Sequence, residues 1–340
     1  MKRAAAALGS IALLVAGAWL VLRHESALLD RPLGLSAPTV YRVPPGASLA
    51  RVAADLHRRG WLVAPHAWVM LARWRGEAGS LRAGEYELRP GLDARGLLGM
   101  LVRGEVLLHS FTIVDGWRVA DLLAAMRRDP DIVKTLAAEP ADLMAAFGER
   151  GLSPEGQFLP ETYKFALGTT DVELLREAHR ALAQVLDAAW KSRSPGLPIA
   201  TEEQLLIVAS IVEKESALPE ERRKIAGLYL HRLQIGMRLQ ADPTVIYGLG
   251  ERYQGRLHTI DLRTDGPYNT YTRSGLPPTP IALPGAAAIR ASANPEQTDA
   301  LYFVASGNGD GSHVFSATLA AQNAAVRAYL RQLRRREDAK

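Results

Sequence analysis

The hydrophobic pattern opens with an unbroken apolar run. Ala4–Leu22 is nineteen uncharged, mostly apolar residues, preceded by Lys2 and Arg3 and closed by Arg23. At about 1.5 Å per helical residue the run is roughly 28 Å long, close to the hydrocarbon thickness of a bilayer. It predicts a retained single-pass anchor. The competing readings are a cleaved signal peptide, whose apolar core is shorter and whose small-x-small cleavage site is not evident after this run, and a buried soluble helix, which the flanking charges disfavour. Lys2, Arg3 and the amino terminus predict a cytoplasmic N-terminus, with Arg23, His24 and Arg31 weighing the other way. Residues 25–38, with Pro32 and Pro38, read as a juxtamembrane linker.

From Thr39 the period changes. Thr39–Val43 predicts a strand, Leu49–Arg59 a helix capped by Ser48 and ended by Gly60, and Pro65–Trp74 a second helix. Gly84–Leu88 reads as a strand, and Ala94–Arg103 as a helix capped by Asp93 and stopped at Gly104. This β-α-α-β order predicts a small module over 39–108. Val106–Val114 alternates like a strand, and Val119–Arg128 and Asp131–Gly148 predict helices, the latter interrupted by Pro140. Gly151–Leu167, dense in Gly, Pro and aromatic residues, reads as a shaped loop. Thr170 and Glu173 form a capping box for a long helix to about Ser192.

Leu205–Gly250 is the centre of the pattern. An apolar helix carrying Glu213 and Glu215 is followed by a break at Pro219, an amphipathic helix, and the polar turn Gln240–Thr244. Beyond Gly250 helical periodicity fades into a segment, Asp261–Pro284, rich in Pro, Gly, Thr and Tyr. Pro284–Ala293 predicts a short helix, Leu301–Ala305 and Val314–Phe315 a hairpin, and Ser316 the cap of a last helix. The expected class is α+β: an N-terminal transmembrane helix (1–24, with its cytoplasmic end), a linker (25–38), the βααβ module (39–108) and a larger mixed α/β domain (109–340).

Composition narrows this little. At 340 residues, 48% hydrophobic and 23% charged, the chain is long enough for two domains and is not of disordered type. The net charge of +5 is spread over basic residues mixed with acids, so nucleic-acid binding is not expected. There is no cysteine, hence no disulfide framework or thiolate metal site. The eight histidines are scattered, and HExxH, Walker A and GxSxG patterns do not occur. Gly307–Gly311 has the composition of a calcium loop but not its ligand spacing, and a hairpin turn accounts for it.

The chemistry that remains is acidic. On a helix Glu213 and Glu215 lie about 200° apart, so they cannot serve one small site together. Glu215 falls between apolar positions, where burial would raise its pKa toward that of a general acid. The competing reading for either residue is an ion pair with Lys214, Arg222 or Arg223, or a carboxylate facing water. The turn Gln240–Thr244 and the run Tyr268–Tyr271 supply the amide, carboxylate and aromatic groups that hold sugars. They are equally the ordinary residues of turns.

Ala209–Ser216 (ASIVEKES), Gly236–Gly250 (GMRLQADPTVIYGLG), Tyr268–Tyr271 (YNTY), Gly275–Ile281 (GLPPTPI) and Tyr302–Ala305 (YFVA) together resemble the MltG (YceG-like) endolytic murein transglycosylases. The likeness spans nearly the whole chain. Glu155–Tyr163 (EGQFLPETY) is similar to the family's EGxxxPDTY, with Glu161 for aspartate, and His231 stands for an asparagine. The resemblance implies a LysM-like module at 39–108 and a YceG-like catalytic domain at 109–340. It implies a single pass through the inner membrane with a periplasmic bulk, and no cofactor or metal. It implies cleavage of the MurNAc–GlcNAc bond within nascent peptidoglycan strands to give 1,6-anhydro-MurNAc ends. Strand elongation would thereby be terminated, with peptidoglycan synthases as neighbours. Glu215 would be the catalytic acid/base and Glu213 a structural partner of a nearby base. Ser216, Gln240, Asp242, Tyr247, Asn269, Thr270, Tyr271 and Glu161 would be substrate contacts. Two other functions stay open: a hydrolytic muramidase using Glu161 or Asp242 as second carboxylate, and a non-catalytic wall-binding scaffold.

Overall fold

Ser48 and Asp93, each ahead of an apolar helical stripe, start helices as their side chains allow: Ser48 accepts from the Arg51 amide and Asp93 from the Gly96 amide. The computed structural model describes residues 17, 19–21, 23–137, 142–215 and 218–337. The chain divides into two compact units, residues 1–109 with 164–169, and residues 110–163 with 170–340.

In the first unit β1 (Thr39–Val43) pairs antiparallel with β2 (Gly84–Leu88), Tyr41 opposite Tyr86. Between them run α1 (Leu49–Arg58) and α2 (Pro65–Trp74), and α3 (Ala94–Arg103) follows, ended by Gly104 at a φ of 71°. Leu56, Trp68, Tyr86, Leu88, Leu97 and Leu101 fill the core. The Trp68 indole N–H is satisfied there by the Ala94 carbonyl at 2.6 Å. Residues 25–38 do more than link. Residues 23–28 are helical, and Leu29 and Leu33 are buried in this core. A few leucines scattered around Pro32 carry no period, which is why the pattern concealed them. The expected span, 4–22, lies almost wholly outside the described residues. Among the described residues no helix is long and apolar enough to cross a membrane.

In the second unit the central element is α6 (Glu202–Glu215), preceded by α4 (Val119–Arg128) and α5 (Asp171–Lys191). Leu205 through Val212 are buried without exception, so α6 is apolar all round rather than amphipathic. It packs against α5, α7 (Arg222–Gln234) and α10 (Ala286–Ala293). Between α7 and α10 lie α8 (Asp242–Leu249) and the short α9 (Thr259–Arg263). A Cβ on Gly227 of α7 would stand 2.1 Å from the Glu296 carbonyl oxygen, so only glycine permits this approach. β5 (Tyr302–Ala305) and β6 (His313–Ser316) form the expected hairpin, and the chain also forms the short strands β3 (Leu108–Thr112) and β4 (Thr162–Ala166).

Two local expectations change. Over 131–148 the one helical turn among the described residues is a 3-10 turn, Leu143–Phe147, and residues 138–141 lie outside them. The amides of Thr135 and Leu136 donate instead to the carboxylate of Asp171, a partner 35 or 36 residues away. The last helix, α11 (Leu319–Glu337), takes its cap from Thr318, which accepts from the Ala321 amide, because Ser316 is the buried end of β6.

Candidate active site

The two glutamates of α6 diverge as the wheel requires. Glu213 is an internal strut. Its Oε1 pairs with Arg222 Nη2 at 2.9 Å, its Oε2 accepts the Gly285 amide at 2.9 Å, and its side chain is 4% exposed. Burial pushes its pKa up. Glu215, the last described residue of the helix, lies on the other side. Its Oε1 accepts the Tyr229 hydroxyl at 2.6 Å. Burial raises its pKa to about 7, the negative charge of Asp242 pushes the same way, and the Tyr229 hydrogen bond and Arg232 oppose.

The groups around Glu215 come from four elements. Tyr229 and Arg232, three residues apart, share a face of α7. The Tyr229 ring stands edge-on to Phe303 of β5, 6.2 Å between centroids. Burial and the neighbouring Glu215 carboxylate raise the Tyr229 pKa well above that of a free phenol, so it stays a donor. Arg232 is held by the carbonyls of Leu301, at 2.6 Å, and Leu239. Asp242 begins α8, and its Oδ1 accepts the Tyr271 hydroxyl at 2.5 Å. Tyr271 feels the charges of Asp242, Glu215 and Arg232 together.

The polar turn and the Tyr268–Tyr271 run are stitched to each other. Gln240 has a φ of 50°, the one positive value outside glycine among the described residues. Its amide donates to the Thr270 carbonyl at 3.1 Å, leaving the side chain exposed. The buried Thr270 hydroxyl accepts the Ala241 amide and meets the Thr244 hydroxyl at 2.9 Å. Asn269 is also buried. Its Nδ2 donates to the carbonyls of Asp261, Leu262 and Thr264, and its Oδ1 accepts the Tyr271 amide. Asn269 and Thr270 thus use their polar atoms inside the protein, and what they present outward is Tyr271 and Gln240.

Next along α8, Tyr247 belongs to a second group that sequence reasoning did not isolate. Its hydroxyl donates to Glu155 Oε2 at 3.2 Å, and Glu155 Oε1 accepts the Val119 amide at 3.1 Å. The Arg118 guanidinium lies over the Tyr247 ring at 5.2 Å, and the Tyr268 ring meets it at 4.8 Å between centroids. Glu155 is 6% exposed, and burial raises its pKa to about 7. The hydrogen bonds from Val119 and Tyr247 and the charge of Arg118 oppose that rise, while Asp121 adds to it. A cleft of about 400 Å³ opens beside this group, lined by Tyr247, Arg252, Asp265 and Tyr268 among others. Glu155 sits in an aperiodic loop, and the signals for it were an acid set among Gly, Pro and Phe and its place at the head of the EGQFLPETY stretch.

The structure therefore brings Glu215, Asp242 and Tyr271 together with Tyr229 and Arg232, and puts Tyr247 with Glu155. Glu161 is exposed at the start of β4, where its Oε1 accepts the Thr162 amide. Ser216 lies outside the described residues. Among the described residues no cluster of three or more His, Asp or Glu is arranged to hold a metal ion.

Glu215 is thus an acid of raised pKa, held by Tyr229 and flanked by Asp242 and Arg232. The comparisons agree with the motifs that surround it. The YceG-like family model matches residues 41–328. The endolytic murein transglycosylase of Bacillus subtilis (strain 168) is 30% identical over 337 residues, covering 94% of this chain and 91% of that protein. Its namesake from Streptococcus pneumoniae serotype 2 is 27% identical over 333 residues, and the match spans 59% of that relative's length. The crystal structure of a YceG-like protein from Listeria monocytogenes superposes with a TM-score of 0.53 at 26% identity, over 84% of this chain and 98% of that one. The chain belongs to the YceG-like family.

Proposed function

We propose that this protein is a membrane-anchored endolytic murein transglycosylase with Glu215 as its single acid/base. The observation that carries the reading is the buried Glu215 carboxyl, raised to about 7 and held by Tyr229 beside Asp242 and Arg232. Near neutral pH such a group is protonated in a large fraction of molecules and is still able to ionise.

The reaction needs both forms. The protonated Glu215 gives its proton to the glycosidic oxygen as the MurNAc–GlcNAc bond breaks. The carboxylate then takes the proton from the muramic C6 hydroxyl as that oxygen closes on C1, leaving a 1,6-anhydro end. The nucleophile belongs to the sugar, so positioning replaces a second catalytic carboxylate. Tyr229, with its pKa raised, donates in both stages and steadies the carboxylate without surrendering its proton. Gln240, Asp242, Tyr247 and Tyr271 contact the glycan, with Asn269 and Thr270 holding the turn at 240 and Tyr271 in place. The LysM-like module at 39–108 and the anchor at 4–22 keep the enzyme at the outer face of the inner membrane, where new strands emerge from the synthases.

Asp242 favours one other reading. Its charge acts on Glu215, and a second carboxylate is what a hydrolytic muramidase requires. Mass spectrometry of a murein digest separates the two: anhydro ends are expected, and reducing ends formed with water would establish the muramidase. Glu215→Gln is expected to lower product release by about 100- to 10,000-fold, the usual loss of a general acid. Unchanged release would remove Glu215 from the mechanism, and release from neither protein would favour a wall-binding scaffold.

A further inference from the structure

The first unit carries an apolar ridge that its core does not use. On α2, Met70 and Trp74 are one helical turn apart and are 61% and 85% exposed. Trp74 stands between two exposed arginines, Arg73 and Arg75. Each flank of the ridge is a groove. One, of about 630 Å³, is lined by Leu29, Ala67, Met70, Leu71 and Trp74 and also by Val21. The other, of about 480 Å³, lies between α1 and α2 and is rimmed by His57, Arg58, His66 and Arg73. A large exposed indole between arginines above apolar grooves has the make-up of a surface that meets a bilayer interface. The indole sits at headgroup depth, and the arginine stems cover apolar surface while their heads reach anionic phosphates.

What identifies the occupant is Val21. It belongs to the apolar run 4–22 and is 62% exposed, yet it lines the same groove as Met70 and Trp74. The chain that follows it is fastened to this unit rather than loose. Arg95 binds Asp30 at 2.6 Å and the Ser26 hydroxyl at 2.7 Å, the Ala94 amide donates to Leu29, and the Leu33 amide donates to Leu92. With Val21 lining the groove and the segment after it clamped to the unit, the ridge has no room to stand far from a membrane that the chain enters ahead of that residue.

We infer that α2 rests on the phospholipid surface through Met70 and Trp74, so that the first unit is a membrane-seated platform rather than a module on a free tether. The inference rests on the reading of residues 4–22 as a membrane span.

The absence of cysteine makes the test clean. The full chain, carrying a single nitroxide at Trp74→Cys or Met70→Cys, is reconstituted into phosphatidylethanolamine/phosphatidylglycerol vesicles. A label at Ser80→Cys, an exposed position outside α2 that lines neither groove, serves as the aqueous reference. The expected result is that labels at 74 and 70 are relaxed by oxygen and shielded from a water-soluble nickel chelate, while the label at 80 is not shielded. Equal nickel accessibility at 74 and 80, in protein that floats with the vesicles, overturns the inference and leaves the anchor standing. Protein that does not float overturns both. Dipolar broadening between labels at 74 would mean that a second copy covers the ridge, and would also overturn it.

Discussion

Tyr229 donates its hydroxyl to Glu215 across 2.6 Å, and the acid's other neighbours pull its pKa in opposite directions: Asp242 raises it and Arg232 lowers it. Activity that needs the protonated acid is expected to fall as pH rises through about 7. Tyr229→Phe removes a hydrogen bond to the charged form, so the alkaline limb moves to higher pH. Asp242→Asn removes a like charge, so the limb moves to lower pH. The kcat/KM of muropeptide release against pH checks both, and shifts of the same sign would dissociate the limb from Glu215.

Glu155 offers a second group near 7, and its signature is stability. Its pKa is raised by burial from 4.5 to about 7. The stability this contributes is therefore complete below about pH 4.5 and is lost as pH rises through about 7. At about 1.4 kcal/mol per pH unit the loss reaches about 3 kcal/mol above pH 8. Glu155→Gln keeps an acceptor for the Val119 amide and cannot ionise. Its Tm is expected to fall less than that of the unsubstituted protein between pH 5 and 8, with the alkaline activity limb retained.

Arg222 and Glu213 are a buried pair, with side chains 13% and 4% exposed. Arg222→Ala strands the glutamate and is expected to destabilise the protein by about 3 kcal/mol in urea unfolding. Replacing both by leucine is expected to recover most of that loss, because the desolvation of two charges disappears with them.

Asn269 donates to three loop carbonyls from one nitrogen. Asn269→Ala is expected to lower stability by about 2 kcal/mol, since three loop carbonyls lose their buried donor. Activity should fall further than stability accounts for, because Asn269 also fixes the Tyr271 amide and hence the hydroxyl that meets Asp242.

The separation of Glu213 from Glu215 was legible because helical geometry alone decides it. The helix ends at Ser48, Asp93 and Thr170 were legible because a cap is a contact between residues three apart. What escaped depends on distant partners. Asp171 draws the amides at 135 and 136 away from a helix, and Val119 and Tyr247 meet Glu155 across 36 and 92 residues. The buried roles of Asn269 and Thr270 escaped for the same reason, since turn composition does not say which way a side chain points.

Glu215 is the last described residue of α6, a helix buried along eight consecutive positions. The peptide dipoles of that helix sum to a partial negative charge at its C-terminal end, about half an elementary charge. A carboxylate there meets repulsion that no single neighbour supplies, in a setting with little water to screen it. The helix that organises the core thus also works on its terminal residue as an electrostatic lever toward the protonated form. Shortening or fraying α6 far from the cleft would weaken the acid's hold on its proton without touching any group that contacts the sugar.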